Sequence, residues 1–88
     1  EIEDVLLRND KIKECAVVGI PDDKWGEIVA TVLVIRKEAI QTEEIQKWCS
    51  SYLSDYKIPR RVMILENLPK NSMGKITKPE LKEILKNN

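Results

Sequence analysis

Two apolar, β-branched stretches constrain this chain more than anything else in it. "CAVVGI", Cys15–Ile20, and "EIVATVLVIR", Glu27–Arg36, are joined through "PDDKWGE", Pro21–Glu27. Both runs read as strands. The connection is turn chemistry, with Pro21 setting φ and Asp22 and Asp23 placed to cap backbone amides. So short a link predicts an antiparallel pair. The second run is apolar almost without a break, which predicts a strand covered on both faces rather than one side wet. The chain has 88 residues, 42% of them hydrophobic, enough for one modest core and one domain.

Helices are expected around this hairpin. Ile2, Val5 and Leu6 fall at helical spacing, with Glu1, Glu3 and Asp4 where a helix dipole favours acids. Thr42 is positioned to cap a second helix that starts with Glu43 and Glu44. Its apolar face is Ile45, Trp48, Cys49, Tyr52 and Leu53, the best periodic signal in the chain. Pro59 ends that segment, since it disfavours helical geometry at Ile58. "RRVMIL", Arg60–Leu65, reads as a third strand. Thr77-Lys78-Pro79-Glu80 then forms a capping box for a last helix with the stripe Leu81, Ile84 and Leu85. The order predicts an α+β domain: a small sheet with an antiparallel pair and a further strand, packed with about three helices.

Composition removes several chemistries. The chain holds no histidine, which excludes Ser-His-Asp and Cys-His catalysis and imidazole bases within it. Cys15 and Cys49 have no metal or redox spacing and read as buried reduced thiols of an intracellular protein. No metal site is expected. No apolar run approaches the roughly 18 residues that a spanning helix needs, and no cationic-plus-apolar leader opens the chain, so a soluble domain is expected. The polar start "EIED", without Met, reads as a piece of a longer protein. Charge is balanced overall but lopsided. Residues 1–56 carry 7 Lys/Arg and 12 Asp/Glu, a net of −5, and residues 57–88 carry 8 and 3, a net of +5. Such asymmetry fits an anion-binding end and equally a solvated helix face.

"LPKNSMGKITKPEL", Leu68–Leu81, holds the sharpest site candidate. It is not a Walker loop. Pro69 stands where that motif needs its first glycine, and Ile76 where it needs Ser or Thr after the lysine. Gly74 lets a ligand or facing domain approach the backbone, and Lys75 is a flexible cation with three donors. The helix starting near Lys78 is expected to turn backbone amides toward the same region. Residue chemistry alone leaves Lys75 between an ordinary turn lysine and an anion contact. Trp25, Gly26 and Glu27 pose a similar choice. Trp25 is either a lid on the core with Gly26 as turn geometry, or an interface anchor. Lys57, Arg60 and Arg61 make a basic cluster with no aromatic interleaving, which argues against nucleic acid.

Three segments taken together resemble the C-terminal domain of the adenylate-forming superfamily, most closely that of acyl-CoA synthetases. "EIEDVLL" resembles the end of the motif after that family's interdomain hinge. "VVGIPDDKWGE" is similar to its "V-x-G-x-P-D-x-x-x-G-E" segment, and "YKIPRRVMILENLPKNSMGKI" to its final "Y-K-x-P…LP-x-x-x-x-GK" motif. The resemblance covers nearly the whole chain. It implies that residues 1–88 are one C-terminal lid domain, that the large N-terminal adenylation domain is its partner, and that the fragment alone is inactive.

The reaction implied is that of an acid-thiol ligase. A carboxylate attacks the α-phosphate of ATP, brought with Mg, giving an acyl-adenylate; the thiol of CoA then displaces AMP. ATP and Mg would be bound mainly by the large domain. The resemblance makes Lys75 the catalytic lysine of adenylation, with Gly74 in the substrate and nucleotide loop; Trp25, Gly26 and Glu27 stay a candidate interface on residue chemistry alone. It also implies that the domain rotates for thioester formation. Lys78 stands where relatives often carry Arg and is given no role. A peptide-synthetase-type adenylation domain and a free-standing anion- or partner-binding module are the alternatives. The "KNN" ending lacks a peroxisomal Ser-Lys-Leu signal.

Overall fold

β1 (Ile12–Asp22) and β2 (Gly26–Ile35) form the expected antiparallel hairpin, with Ile12 opposite Ile35 and Asp22 opposite Gly26. The computed structural model describes residues 1–86, so two residues of the "KNN" ending lie outside it. The hairpin turn is closed by Asp22, whose Oδ2 accepts the N–H groups of Lys24 (3.0 Å) and Trp25 (2.9 Å). Gly26 leaves the turn at φ +82°, a left-handed value that a Cβ would disfavour. Pro21 sits within β1 without breaking a ladder on both sides, because β1 is a sheet edge.

The sheet has the order β1-β2-β3, and β3 (Arg61–Ile64) runs parallel to β2, pairing Ala30 with Arg61 and Leu33 with Ile64. A parallel neighbour needs a crossover. It is supplied by α2 (Thr42–Ser50) and a single 3₁₀ turn, Asp55–Lys57. Pro59 is buried, and Ile58 before it is extended at φ −73°, ψ 128°, as the proline requires.

β2 is covered on both faces, which is why its sequence hardly alternates. Ala30, Val32 and Val34 face a core with Ala16, Val18, Ile20, Leu68, Leu81 and Leu85. Leu33 faces a second core with Val5, Leu6, Ile12, Cys15, Ile40, Ile45 and Cys49. Thus α1 (Ile2–Leu7) and α2 close one face, and α3 (Lys78–Lys86) closes the other. The indole N–H of Trp48 donates to the Val5 carbonyl (2.9 Å), fastening α2 to α1. Arg61 Nη1 donates to the Leu85 carbonyl (2.6 Å), satisfying one of the open acceptors in the last turn of α3.

Two expectations about α2 are corrected. Its N-cap is Gln41, not Thr42, and no side chain caps it. Gln41 is extended (φ −91°, ψ 153°) and its carbonyl already accepts from Glu44 and Ile45, so the helix is entered one residue early. The helix also ends at Ser50. Leu53 still packs on the core, but Tyr52 lies beyond the helix and half exposed. At α3, the two expected capping-box side chains meet each other directly, the Thr77 hydroxyl donating to Glu80 Oε2 (2.8 Å). Cys15 and Cys49 are free and buried, and burial pushes the Cys15 thiol up to about 11 and Cys49 upward as well.

Candidate functional site

The segment between β3 and α3 is pinned at both ends and raised in the middle. Leu68 and Leu81 are buried in the same core, so the residues between them must leave the body and return. Lys70 and Ile76 form an isolated antiparallel bridge that closes the base. Lys70 Nζ reaches Glu14 Oε1 (3.2 Å), tying that base to β1.

Above the base, one residue organises the loop. Asn71 Oδ1 accepts the N–H groups of Met73 (2.9 Å) and Lys75 (3.1 Å). Its own N–H donates to the Lys75 carbonyl (2.8 Å), and its carbonyl accepts from Gly74 N–H (2.9 Å). Gly74 makes the reversal at φ +79°, and a Cβ built there would meet nothing within 4 Å. Glycine is therefore required by backbone conformation and not by crowding.

Lys75 stands exposed at the end of this scaffold. Among the described residues, no carboxylate is within ion-pair distance of its ammonium, whereas Lys11, Lys57 and Lys70 are each paired. Met73 beside it is an apolar side chain left 75% exposed by the described residues. The arrangement offers a fixed root, a mobile cation and an apolar rim. The expected contribution of α3 is corrected. Its first turn carries the Glu80 carboxylate, so the positive helix end already has an anion of its own.

Trp25 does not lid the core. It is 56% exposed, with the Arg60 guanidinium 4.5 Å and the Lys24 ammonium 5.5 Å from its ring centroid. Tyr56 is 73% exposed close by, and Trp25, Glu27, Ile28, Asp55, Tyr56 and Arg60 line a groove of about 160 Å³. Glu27 leans back across the strand pair. A Cβ on Gly19 would lie 2.6 Å from its Cδ, so Gly19 makes the room for it. The basic cluster dissolves on folding. Lys57 pairs with Glu1, which raises the lysine's pKa and lowers the carboxylate's; Arg60 covers Trp25, and Arg61 caps α3.

The structure keeps the two candidate regions apart. Glu14, which anchors the Lys75 loop, and Asp22, which closes the Trp25 turn, are eight positions apart on β1, about 26 Å along an extended strand. The molecule thus presents a lysine-bearing end and an aromatic–cationic end. Asn71 is the residue that sequence reasoning missed. An Asn two residues before a turn amide is a recognised turn former, but its reach to Lys75 needs the folded loop. Among the described residues, no group of three His, Cys, Asp or Glu is placed to hold a metal ion. No helix among them is long and apolar enough to cross a membrane.

The family model of the AMP-binding enzyme C-terminal domain matches residues 1–75, ending on the exposed lysine. The chain belongs to that family. It is 40% identical over 83 residues to the long-chain-fatty-acid–CoA ligase FadD13 of Mycobacterium tuberculosis, covering 94% of this chain and 16% of the relative. It is 43% identical over 83 residues to a 2-succinylbenzoate–CoA ligase of Listeria monocytogenes, covering 94% of this chain and 18% of that one. Among solved structures, apo MatB from Rhodopseudomonas palustris superposes with a TM-score of 0.89 at 32% identity, over 94% of this chain and 17% of that one. The chain therefore spans about one sixth of the length of the proteins it matches, and its fold is that of the C-terminal domains of adenylate-forming enzymes.

Proposed function

We propose that this chain is the C-terminal lid of an AMP-forming acyl-CoA synthetase and that Lys75 is the cation it delivers for adenylation. Residues 1–88 form the lid; the acyl pocket, the nucleotide site and the Mg that accompanies ATP belong to a large N-terminal domain. In adenylation a carboxylate oxygen bonds to the α-phosphorus of ATP and pyrophosphate leaves. Negative charge gathers on the phosphoryl oxygens, and an ammonium placed there stabilises the transition state more than the bound substrates.

The observation that carries this reading is Lys75, exposed and unpaired among the described residues, on a loop whose backbone is bonded to Asn71 and whose base is tied to the sheet. The aromatic–cationic groove lies about 26 Å of strand away. That separation suits a domain that shows one face to the large domain for adenylation and rotates to show another for thioester formation. In the second step the thiol of CoA bonds to the acyl carbon and AMP leaves. Trp25, Gly26 and Glu27 serve as the interface of that second face. CoA is favoured over a carrier-protein acceptor because similar proteins are CoA ligases. Two buried free thiols suit a reducing compartment.

Pyrophosphate exchange tests the assignment. The full-length protein containing this chain should exchange labelled pyrophosphate into ATP when supplied with its carboxylic acid, and the isolated chain should not. Exchange by the isolated chain, or binding of ATP by it with the affinity of the full protein, would favour a free-standing module instead.

A further inference from the structure

The geometry points to Asn71 as the residue that positions Lys75 for adenylation, an inference that rests on the catalytic reading of Lys75. A lysine stem has four rotatable bonds, and a loop cannot remove that freedom. What a loop can fix is the root, the direction in which Cβ leaves the backbone. Both backbone polar groups of Lys75 are bonded to one residue, its N–H to Asn71 Oδ1 at 3.1 Å and its carbonyl to Asn71 N–H at 2.8 Å. The same residue takes the N–H groups of Met73 and Gly74. No other side chain among the described residues bonds to the backbone of 73–75.

The requirement is specific. The acceptor must sit on a side chain long enough to curl back over two amides, and the residue must supply its own N–H and carbonyl to close the ring. Through Lys70, Asn71 is in turn referred to the sheet, by the bridge to Ile76 and the ion pair with Glu14. A tilt of about 15° at the root swings the distant ammonium by about 1–2 Å, a scale at which misplacement costs on the order of 100-fold in rate. Asn71 touches neither ATP nor acid in this scheme. It acts through Lys75 alone.

The test is a double-mutant cycle in the full-length ligase that contains this chain, reading each half-reaction separately. Asn71→Leu removes the acceptor, Asn71→Asp keeps it, and both are combined with Lys75→Ala. Expected for Asn71→Leu is a maximal adenylation rate about 10–100-fold lower, an ATP KM within about threefold, and unchanged thioester formation from supplied acyl-adenylate. Asn71→Asp should recover most of the rate, and Asn71→Leu should add nothing to Lys75→Ala. Normal adenylation by Asn71→Leu, equal loss in both half-reactions, or a double variant slower than Lys75→Ala by the full Asn71→Leu factor would each overturn the inference. If Lys75→Ala itself adenylates normally, the catalytic reading falls and this inference with it. If Lys75→Ala is crippled and Asn71→Leu is not, only the inference falls.

Discussion

Replacing Gly74 separates the conformational demand of the loop from packing, because the site has room for a side chain and the wrong sign of φ for one. With φ at +79° and nothing within 4 Å of a built Cβ, Gly74→Ala meets no clash. Its cost is the left-handed backbone itself, about 1–2 kcal/mol for a residue with a Cβ. Part is offset by the smaller conformational entropy of the unfolded alanine chain, about 0.4–1 kcal/mol. The strain falls on the bonds that Gly74 and Lys75 make to Asn71, each contributing about 0.5–1.5 kcal/mol. The core contacts of Leu68 and Leu81 on either side are untouched. Opening of the loop should therefore become up to about 15-fold more populated, about fourfold at mid-range, and global unfolding should become easier by the same net strain at most. Native-state hydrogen exchange reads this directly. The amides of residues 73–75 should exchange faster by that factor, with Gly74→Asn milder and Gly74→Val worse. Equal exchange at residues 73–75 in Gly and Ala chains would refute the argument.

Four other outcomes follow from the same structure. Burial holds the Cys15 thiol near pKa 11 against an ordinary 9.0, so at pH 8 alkylation by iodoacetamide should be about 100-fold slower than in urea. Because the folded pKa is the higher one, the associated stability is complete below pH 9 and is lost between pH 9 and about 11, as urea melts across that window should register. Trp48→Phe removes the indole donor from the part-buried Val5 carbonyl, which keeps the Arg8 N–H, and should cost about 0.5–1.5 kcal/mol for that bond in a urea melt followed by circular dichroism. Trp25→Ala removes an exposed ring and its cation–π contact, so the chain's stability should fall by no more than about 1 kcal/mol while turnover of the full enzyme drops. A full enzyme unaffected by it would remove Trp25 from the interface.

Much of the fold was legible because its signals are local. The hairpin follows from two β-branched runs and an Asp-bearing turn, and Asp22 does bind the turn amides. Both covered faces of β2 were visible in its unbroken apolar run. Helix boundaries were less legible, because Thr42 looks like a better cap than Gln41 although the backbone enters the helix before it. The parallel pairing of β3 depends on where α2 returns the chain, and no short pattern encodes that. Side-chain fates were least legible of all. Trp25 reads as a core residue by type, yet Arg60 arrives from 35 positions away to cover its face. Gly74 and Lys75 could be singled out by sequence, but the Asn71 bonds and the Lys70–Glu14 tie exist only once the loop has closed.

The central claim is that Lys75 serves one half-reaction and not the other, and single-turnover kinetics of Lys75→Ala in the full-length protein test it most directly. Loss of a preorganised cation at a developing negative charge should slow acyl-adenylate formation about 100–1,000-fold. Thioester formation from supplied acyl-adenylate and CoA should remain within about threefold of the unmodified enzyme, since the proposed rotation would by then have withdrawn the lysine. Equal slowing of both steps, or unimpaired adenylation, would contradict the account.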